Sequence, residues 1–169
     1  MAANEGLTAL EVLGVAIKSE VEAAALYARL AAQVRNATLA AKLDFLRREE
    51  EKHRSILQDV YKRRFSDVEL QLPARSPVPT VDAAELAGRT VPELFQLAMK
   101  AERLASDFYA READRSFDEM GRTTLRYLSR VESGHYKMLE TEYDLVSRFP
   151  DYYNADEFNF GTELIHIGP

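Results

Sequence analysis

The chain contains no cysteine. That absence removes disulfides, zinc–thiolate sites, iron–sulfur clusters and thiol catalysis together, and with them any sign of an oxidising compartment. No run of about 18 apolar residues exists, so no helix is expected to span a membrane. The N-terminus, MAANEGLTALEVLG, lacks a basic region followed by an apolar stretch. A secretory signal is therefore not expected, and a cytoplasmic location is the default expectation. Basic residues are outnumbered, 22 against 28 acidic, for a net charge of -6. A nucleic-acid binder would need a basic face, so nucleic acid is not an expected partner. The acidic balance suits a soluble protein that attracts cations.

What the chain does have is long stretches of Ala, Leu, Glu, Arg and Lys, the strong helix formers, punctuated by a few prolines. Its 169 residues fit one domain. Four helices are expected, and no segment shows strand alternation. The first runs from about Thr8 to Arg35, with Leu13, Ala16, Ile17, Glu20, Ala24, Tyr27, Ala31 and Val34 inward. The second runs from about Leu39 to Arg64, with Leu39, Leu43, Leu46, Glu50, His53, Leu57 and Val60 on one face. The third runs from about Val91 to Ser116, with Thr90 as N-cap, Pro92 in the first turn and Glu93 completing a capping box. Its stripe is Val91, Phe95, Ala98, Glu102, Ala105 and Tyr109. The fourth runs from about Phe117 or Gly121 to Arg148, with Leu125, Leu128, Glu132, His135 and Leu139 inward.

Steps of three and four are the seam of a helix bundle. Short links make helical hairpins of residues 8–64 and 91–148, and the proline-bearing link over 65–90 is long enough to run from one end of a bundle to the other. The expected fold is all-α: an antiparallel four-helix bundle with one long crossover between helices 2 and 3. The aromatic tail over 149–169 does not read as a helix. It is expected to pack on the bundle or on a second subunit, and the crossover can do the same.

Shifted by 82 positions, the two halves align without a gap. Glu20 falls on Glu102, Tyr27 on Tyr109, Leu43 and Leu46 on Leu125 and Leu128, Glu50 on Glu132, His53 on His135, and Leu57 on Leu139. The repeat decides which glutamate matters in RREEEKHRSIL, residues 47–57. Glu49 aligns with Val131 and Glu51 with Ser133, so only Glu50 keeps an acidic counterpart. Periodicity agrees, because Glu50 shares a face with Leu43, Leu46 and Leu57.

Six polar residues thus lie on buried stripes: Glu20, Glu50, His53, Glu102, Glu132 and His135. Four carboxylates buried together lose their hydration and repel one another. Two divalent cations reverse that balance, since their four positive charges match the carboxylates and two neutral imidazoles complete the set. Oxygen and nitrogen donors without thiolate suit iron or manganese. Glu-x-x-His places both side chains one turn apart, and both 50-EEKH-53 and 132-ESGH-135 have it. One glutamate on each of two helices plus Glu-x-x-His on each of the others is the ligand pattern of di-iron and di-manganese carboxylate bundles.

With 20-EVEAAALY-27 and 50-EEKH-53, then 102-ERLASDFY-109 and 132-ESGH-135, the chain resembles the rubrerythrin branch of the ferritin-like superfamily over roughly residues 8 to 146. The resemblance implies two iron ions, with manganese or a mixed pair as alternatives. It implies that Glu50 and Glu132 bridge the metals, that Glu20 and His53 complete one position, and that Glu102 and His135 complete the other. It also implies redox chemistry toward O₂ or H₂O₂, of peroxidase or ferroxidase type. Two departures bear on this. Rubrerythrins proper carry a further glutamate where this chain has Ala105, which weighs against a peroxidase cycle. The missing cysteines leave no rubredoxin-type domain, so electrons would come from a separate donor protein.

A non-catalytic protein that binds, stores or delivers iron or another divalent metal remains a second reading, and a metal-free structural bundle a third. Tyr27 and Tyr109 are either core aromatics or hydrogen-bond donors to ligand carboxylates. His166, in the tail, is not expected to be a ligand. Glu112 is expected to face solvent, and Glu22, Glu49, Glu51 and Glu142 to be surface charges. A homodimer or higher homo-oligomer is expected, although the tail's non-helical character counts against a 24-subunit shell.

Overall fold

The computed structural model describes residues 8–34, 36–76, 78, 88–116 and 119–149. Four helices account for most of them: α1 (Ala9–Gln33), α2 (Ala37–Arg64), α3 (Val91–Arg115) and α4 (Glu119–Arg148). Among the described residues no strand occurs, and no helix is long and apolar enough to cross a membrane.

The helix starts follow from local hydrogen bonding. Thr8 and Thr90 each accept from the backbone N–H three residues on, and Glu11 and Glu93 accept in return from the cap N–H groups. Asn36 caps α2 by accepting from Leu39 N at 2.9 Å. Each cap satisfies amide groups that the first turn leaves without helical partners. The capping box expected at Thr90 is present, and the expected boundaries hold to within about two residues.

The helices pair as two hairpins, α1 with α2 and α3 with α4, and α1 also contacts α3. Two apolar clusters fix their directions. One cluster joins Val12–Ile17 of α1, Leu57 and Tyr61 of α2, Phe108, Tyr109 and Ala113 of α3, and Leu125 and Leu128 of α4. The other joins Leu26 to Leu30 of α1, Leu39 to Leu46 of α2, Leu94 to Ala98 of α3, and Leu139 and Val146 of α4. Hence α1 runs against α2 and α3 and alongside α4. The link leaving α2 at the first cluster must reach α3 at the second, so the crossover spans the bundle's length.

Part of that crossover packs onto α1, on a face the hydrophobic stripe did not include. Val78 is 2% exposed within the first cluster. Ser76 N donates to Glu22 Oε1 at 3.3 Å. Gly14 lies under the strap, where an added Cβ would meet Gln71 O at 3.4 Å. This second contact explains why Val12, Gly14, Val15 and Ser19 are buried alongside the expected Leu13, Ala16 and Ile17. It also corrects the expectation for Glu22, which is half-buried, paired with Lys18 at 3.5 Å, and anchors the strap. The tail expectations, including those for His166, lie outside the described residues, except that Phe149 is exposed.

Candidate metal centre

Between the two apolar clusters lies a polar layer to which every helix contributes. Glu20 comes from α1, Glu50 and His53 from α2, Glu102 from α3, and Glu132 and His135 from α4. All six are at most 5% exposed. On α2 and α4 the three-residue step of Glu-x-x-His brings the histidine back over its own glutamate. His53 Nδ1 lies 3.2 Å from Glu50 Oε2, and His135 Nδ1 lies 3.1 Å from Glu132 Oε2. The two imidazoles stack at 5.5 Å.

Each histidine also reaches across the bundle. His53 Nδ1 is 3.4 Å from Glu20 and 3.7 Å from Glu132. His135 Nδ1 is 3.0 Å from Glu50 and 3.7 Å from Glu102. Two ring nitrogens thus face four carboxylates, and one N–H cannot satisfy three of them. Glu20 Oε2, Glu50 Oε1 and Glu132 Oε1 are buried without a properly directed hydrogen bond. Glu50 Oε1 is near enough to His135 Nδ1, but not in hydrogen-bond geometry.

The donor atoms fall into two groups, each spanning no more than 4.8 Å: Glu20, Glu50, His53 and Glu132; and Glu50, Glu102, Glu132 and His135. Glu50 and Glu132 belong to both. Buried carboxylate oxygens without donors, arranged with imidazole nitrogens at this spacing, fit two hard or borderline divalent cations.

Electrostatics show what the layer does without cations. Burial, joined by the charge of Glu50, pushes Glu20 up to about 8 against the pull of His53. Burial and repulsion from Glu50, Glu20 and Glu102 push Glu132 far up. Burial alone would also raise Glu50, but His135 and His53 outweigh it and hold it down at about 2. Burial draws His53 down, yet Glu20 and Glu50 win and lift it to about 9. His135 is lifted further, chiefly by Glu102, Glu132 and Glu50 acting against burial. The metal-free layer therefore holds protons in place of cations.

Both tyrosines take part, and they do so crosswise. Tyr27 of α1 donates to Glu102 of α3, and Tyr109 of α3 donates to Glu20 of α1. Both are fully buried, and burial next to these carboxylates pushes both phenols well above their usual range. Each hydroxyl fixes one oxygen of the glutamate in the other hairpin and leaves the second oxygen turned to the polar layer.

The expected distinction among the three consecutive glutamates is present. Glu50 is 1% exposed, while Glu49 pairs with Lys52 and Glu51 with Arg47 outside the layer. Glu142 is only partly exposed and pairs with Lys42 of α2. Glu112 corrects its expectation: it is 4% exposed and pairs with Arg115 at 3.1 Å and Arg111 at 3.6 Å. It lies in neither donor group. The repeat held the signal, because Glu112 aligns with Leu30, which is itself buried.

Sequence reasoning gave no view of the approach to the layer. A cavity of ≈ 20 Å³ reaches Glu20, Glu50, Glu102 and Glu132 between α1 and α3. That is room for about one water molecule. Ala23, Ala101 and Ala105 keep its walls low, and Val78 of the crossover lines it from outside.

A family model described as Rubrerythrin matches residues 11–143. Among solved structures, a hypothetical protein from Pyrococcus furiosus is similar at 30% identity, with a TM-score of 0.68. The likeness covers 84% of this chain and 92% of that one. A search of curated proteins finds no match.

Proposed function

The chain belongs to the rubrerythrin family, and from that premise we propose that it binds two iron ions in the polar layer and uses them in redox chemistry with O₂ or H₂O₂. One observation carries the reading: two four-residue donor groups that share Glu50 and Glu132 and contain buried carboxylate oxygens without donors. In this reading Glu50 and Glu132, common to both groups, would be shared by the two metals, Glu20 and His53 would hold one, and Glu102 and His135 would hold the other. Manganese or a mixed pair would suit the same donors. Bound iron would supply the electrons that O₂ or H₂O₂ takes up.

The rest of the chemistry belongs to the chain. Tyr27 and Tyr109 hold the terminal glutamates in place from the opposite hairpin. Leu26, Ala23, Ala101 and Val78 line the approach with apolar groups that limit water. The shared pair comes from α2 and α4 and the other two glutamates from α1 and α3, so the ligand set would tie both hairpins together. With no cysteine in the chain, repeated turnover would draw electrons from a separate donor protein.

Ala105 favours weighing a second reading, a protein that stores or delivers metal without steady turnover. It lines the cavity beside Glu102 and Glu132 and offers no further carboxylate there. Anaerobic Fe(II) titration of the purified full chain, followed by separate O₂ and H₂O₂ challenges with and without a reductant, tests both. The expected result is two irons per chain and oxidation that repeats when reductant is supplied. Fewer than two sites after loading would sink the dinuclear reading. Two sites with a single round of oxidation would leave binding and overturn catalysis.

A further inference from the structure

The outer side of α4 carries a second apolar stripe, separate from the one that builds the core. Tyr127, Val131, Gly134, Met138, Thr141 and Leu145 recur at steps of four and three, the seam of a two-helix contact. Tyr127 is 48% exposed and Met138 39%. Gly134 and Thr141 are exposed, and Val131 and Leu145 half-buried. At Gly134 an added Cβ would meet nothing within 4 Å, so no contact among the described residues calls for glycine in the middle of this helix. Mid-helix glycine lowers stability relative to alanine.

The internal duplication supplies a control. The same positions on α2 are Phe45, Glu49, Lys52, Ile56, Asp59 and Arg63. Four of the six are charged there, and Glu49 and Lys52 form an ion pair. On α4 none of the six is charged. The two helices share their inward residues at this register and differ on the outward ones.

We propose that this stripe is the interface of a homodimer in which α4 packs antiparallel against α4 of a second copy of the chain. The stripe is self-complementary in that direction. Antiparallel pairing about its midpoint sets Tyr127 against Leu145, Val131 against Thr141, and Gly134 against Met138. Each pair occurs twice, as a two-fold interface requires. The missing side chain at Gly134 gives room for the partner's Met138 and lets the helices approach closely. Charges beside the seam agree. Asp144 of one copy falls level with the gap between Arg126 and Arg130 of the other, on the same flank. Among the described residues Arg126 pairs with Asp114 at 3.4 Å and Asp144 with Arg148 at 3.7 Å, both on the exposed surface. Lys137 meets its counterpart beside the axis, where solvent and salt screen the repulsion.

Sedimentation of the full chain at micromolar concentration should show a dimer. Gly134→Lys installs the residue of the duplicate at a position with open space, so the helical circular dichroism should be unchanged while the dimer dissociates. Because the natural chain has no cysteine, the double variant Tyr127→Cys/Leu145→Cys should form a covalent dimer on mild oxidation. Its two thiols are about 27 Å apart along one helix and cannot close within one chain. Phe45→Cys/Arg63→Cys, at the same spacing on α2, should not cross-link. A monomeric native chain overturns the proposal, including the case where residues 150–169 of the same chain cover the stripe. So does a dimer that survives Gly134→Lys, or equal cross-linking of the two double variants.

Discussion

Metal-free protein should lose stability as the pH rises from about 5 to about 9, and metal-loaded protein should not. The sign follows from the polar layer. Glu20 moves from 4.5 to about 8 on folding, so above about pH 4.5 the folded state keeps a proton that the unfolded chain has released. The stability linked to that proton is fully present below the unfolded value and is lost as pH climbs through 8. His53 moves from 6.5 to about 9, so its contribution is present below 6.5 and is lost through 9. Glu132 and His135 shift in the same direction. Glu50 alone runs the other way: held at about 2, it stabilises above 4.5 and loses that contribution only in strong acid.

Each proton retained by the folded state tilts stability by about 1.4 kcal/mol per pH unit. One net proton is enough to move the melting temperature by about 3–6 °C per unit in a chain of this size. Cations displace these protons, so the loaded protein should show a flatter profile, and metal addition should release protons that a pH-stat can count. The assay is thermal unfolding of chelator-treated and Fe(II)-loaded protein at matched pH under anaerobic conditions. A metal-free melting temperature that stays level or rises between pH 6 and 9 would refute the reasoning, because it would mean the buried carboxylates are compensated by something other than protons.

Three further outcomes separate the parts of the structure. Tyr27→Phe should weaken one metal position about 10- to 100-fold and Tyr109→Phe the other, since the hydroxyls serve Glu102 and Glu20 respectively; stepwise titration with calorimetry checks this, and equal loss at both positions in each variant would contradict the crosswise pairing. Glu112→Gln should cost about 1 kcal/mol, discounted for its half-exposed arginine partners, while leaving metal stoichiometry unchanged by elemental analysis. Gly14→Leu should cost about 1–3 kcal/mol by pushing against Gln71 and Pro73, and proteolysis within the crossover should quicken.

Much of the fold was legible because the sequence states it twice. A buried ligand must recur at the same place in both halves, so the repeat picked Glu50 from three neighbouring glutamates, and the structure buries that one while exposing its neighbours' ion pairs. Burial contributed by another segment was less legible. The inward stripe of α1 missed Leu26 and Leu30, although the repeat aligns Leu26 with Phe108 and all three are buried. A single stripe could not foresee Val12 and Val15, because the crossover covers a second face of the helix. The crosswise tyrosines were half legible: their spacing from Glu20 and Glu102 put them near the layer, but which carboxylate each reaches depends on how two hairpins meet.

That meeting is where the polar layer matters most. Contacts within each hairpin outweigh those between hairpins, and α1 with α3 supplies the main direct link. At either end of the bundle an apolar cluster draws on all four helices, and burial of such side chains stabilises by roughly 1.5–3 kcal/mol each. The middle has no such contribution. Leucines of similar volume there would hold the hairpins together better than six ionisable groups do. The layer is therefore a local weakness that the apolar ends tolerate, and the crosswise hydrogen bonds of Tyr27 and Tyr109 link α1 to α3 across it. Cations bound by ligands from all four helices would turn the weakest layer of the bundle into a clamp across both hairpins, and for that reason metal should stabilise the association of the hairpins more than either hairpin alone.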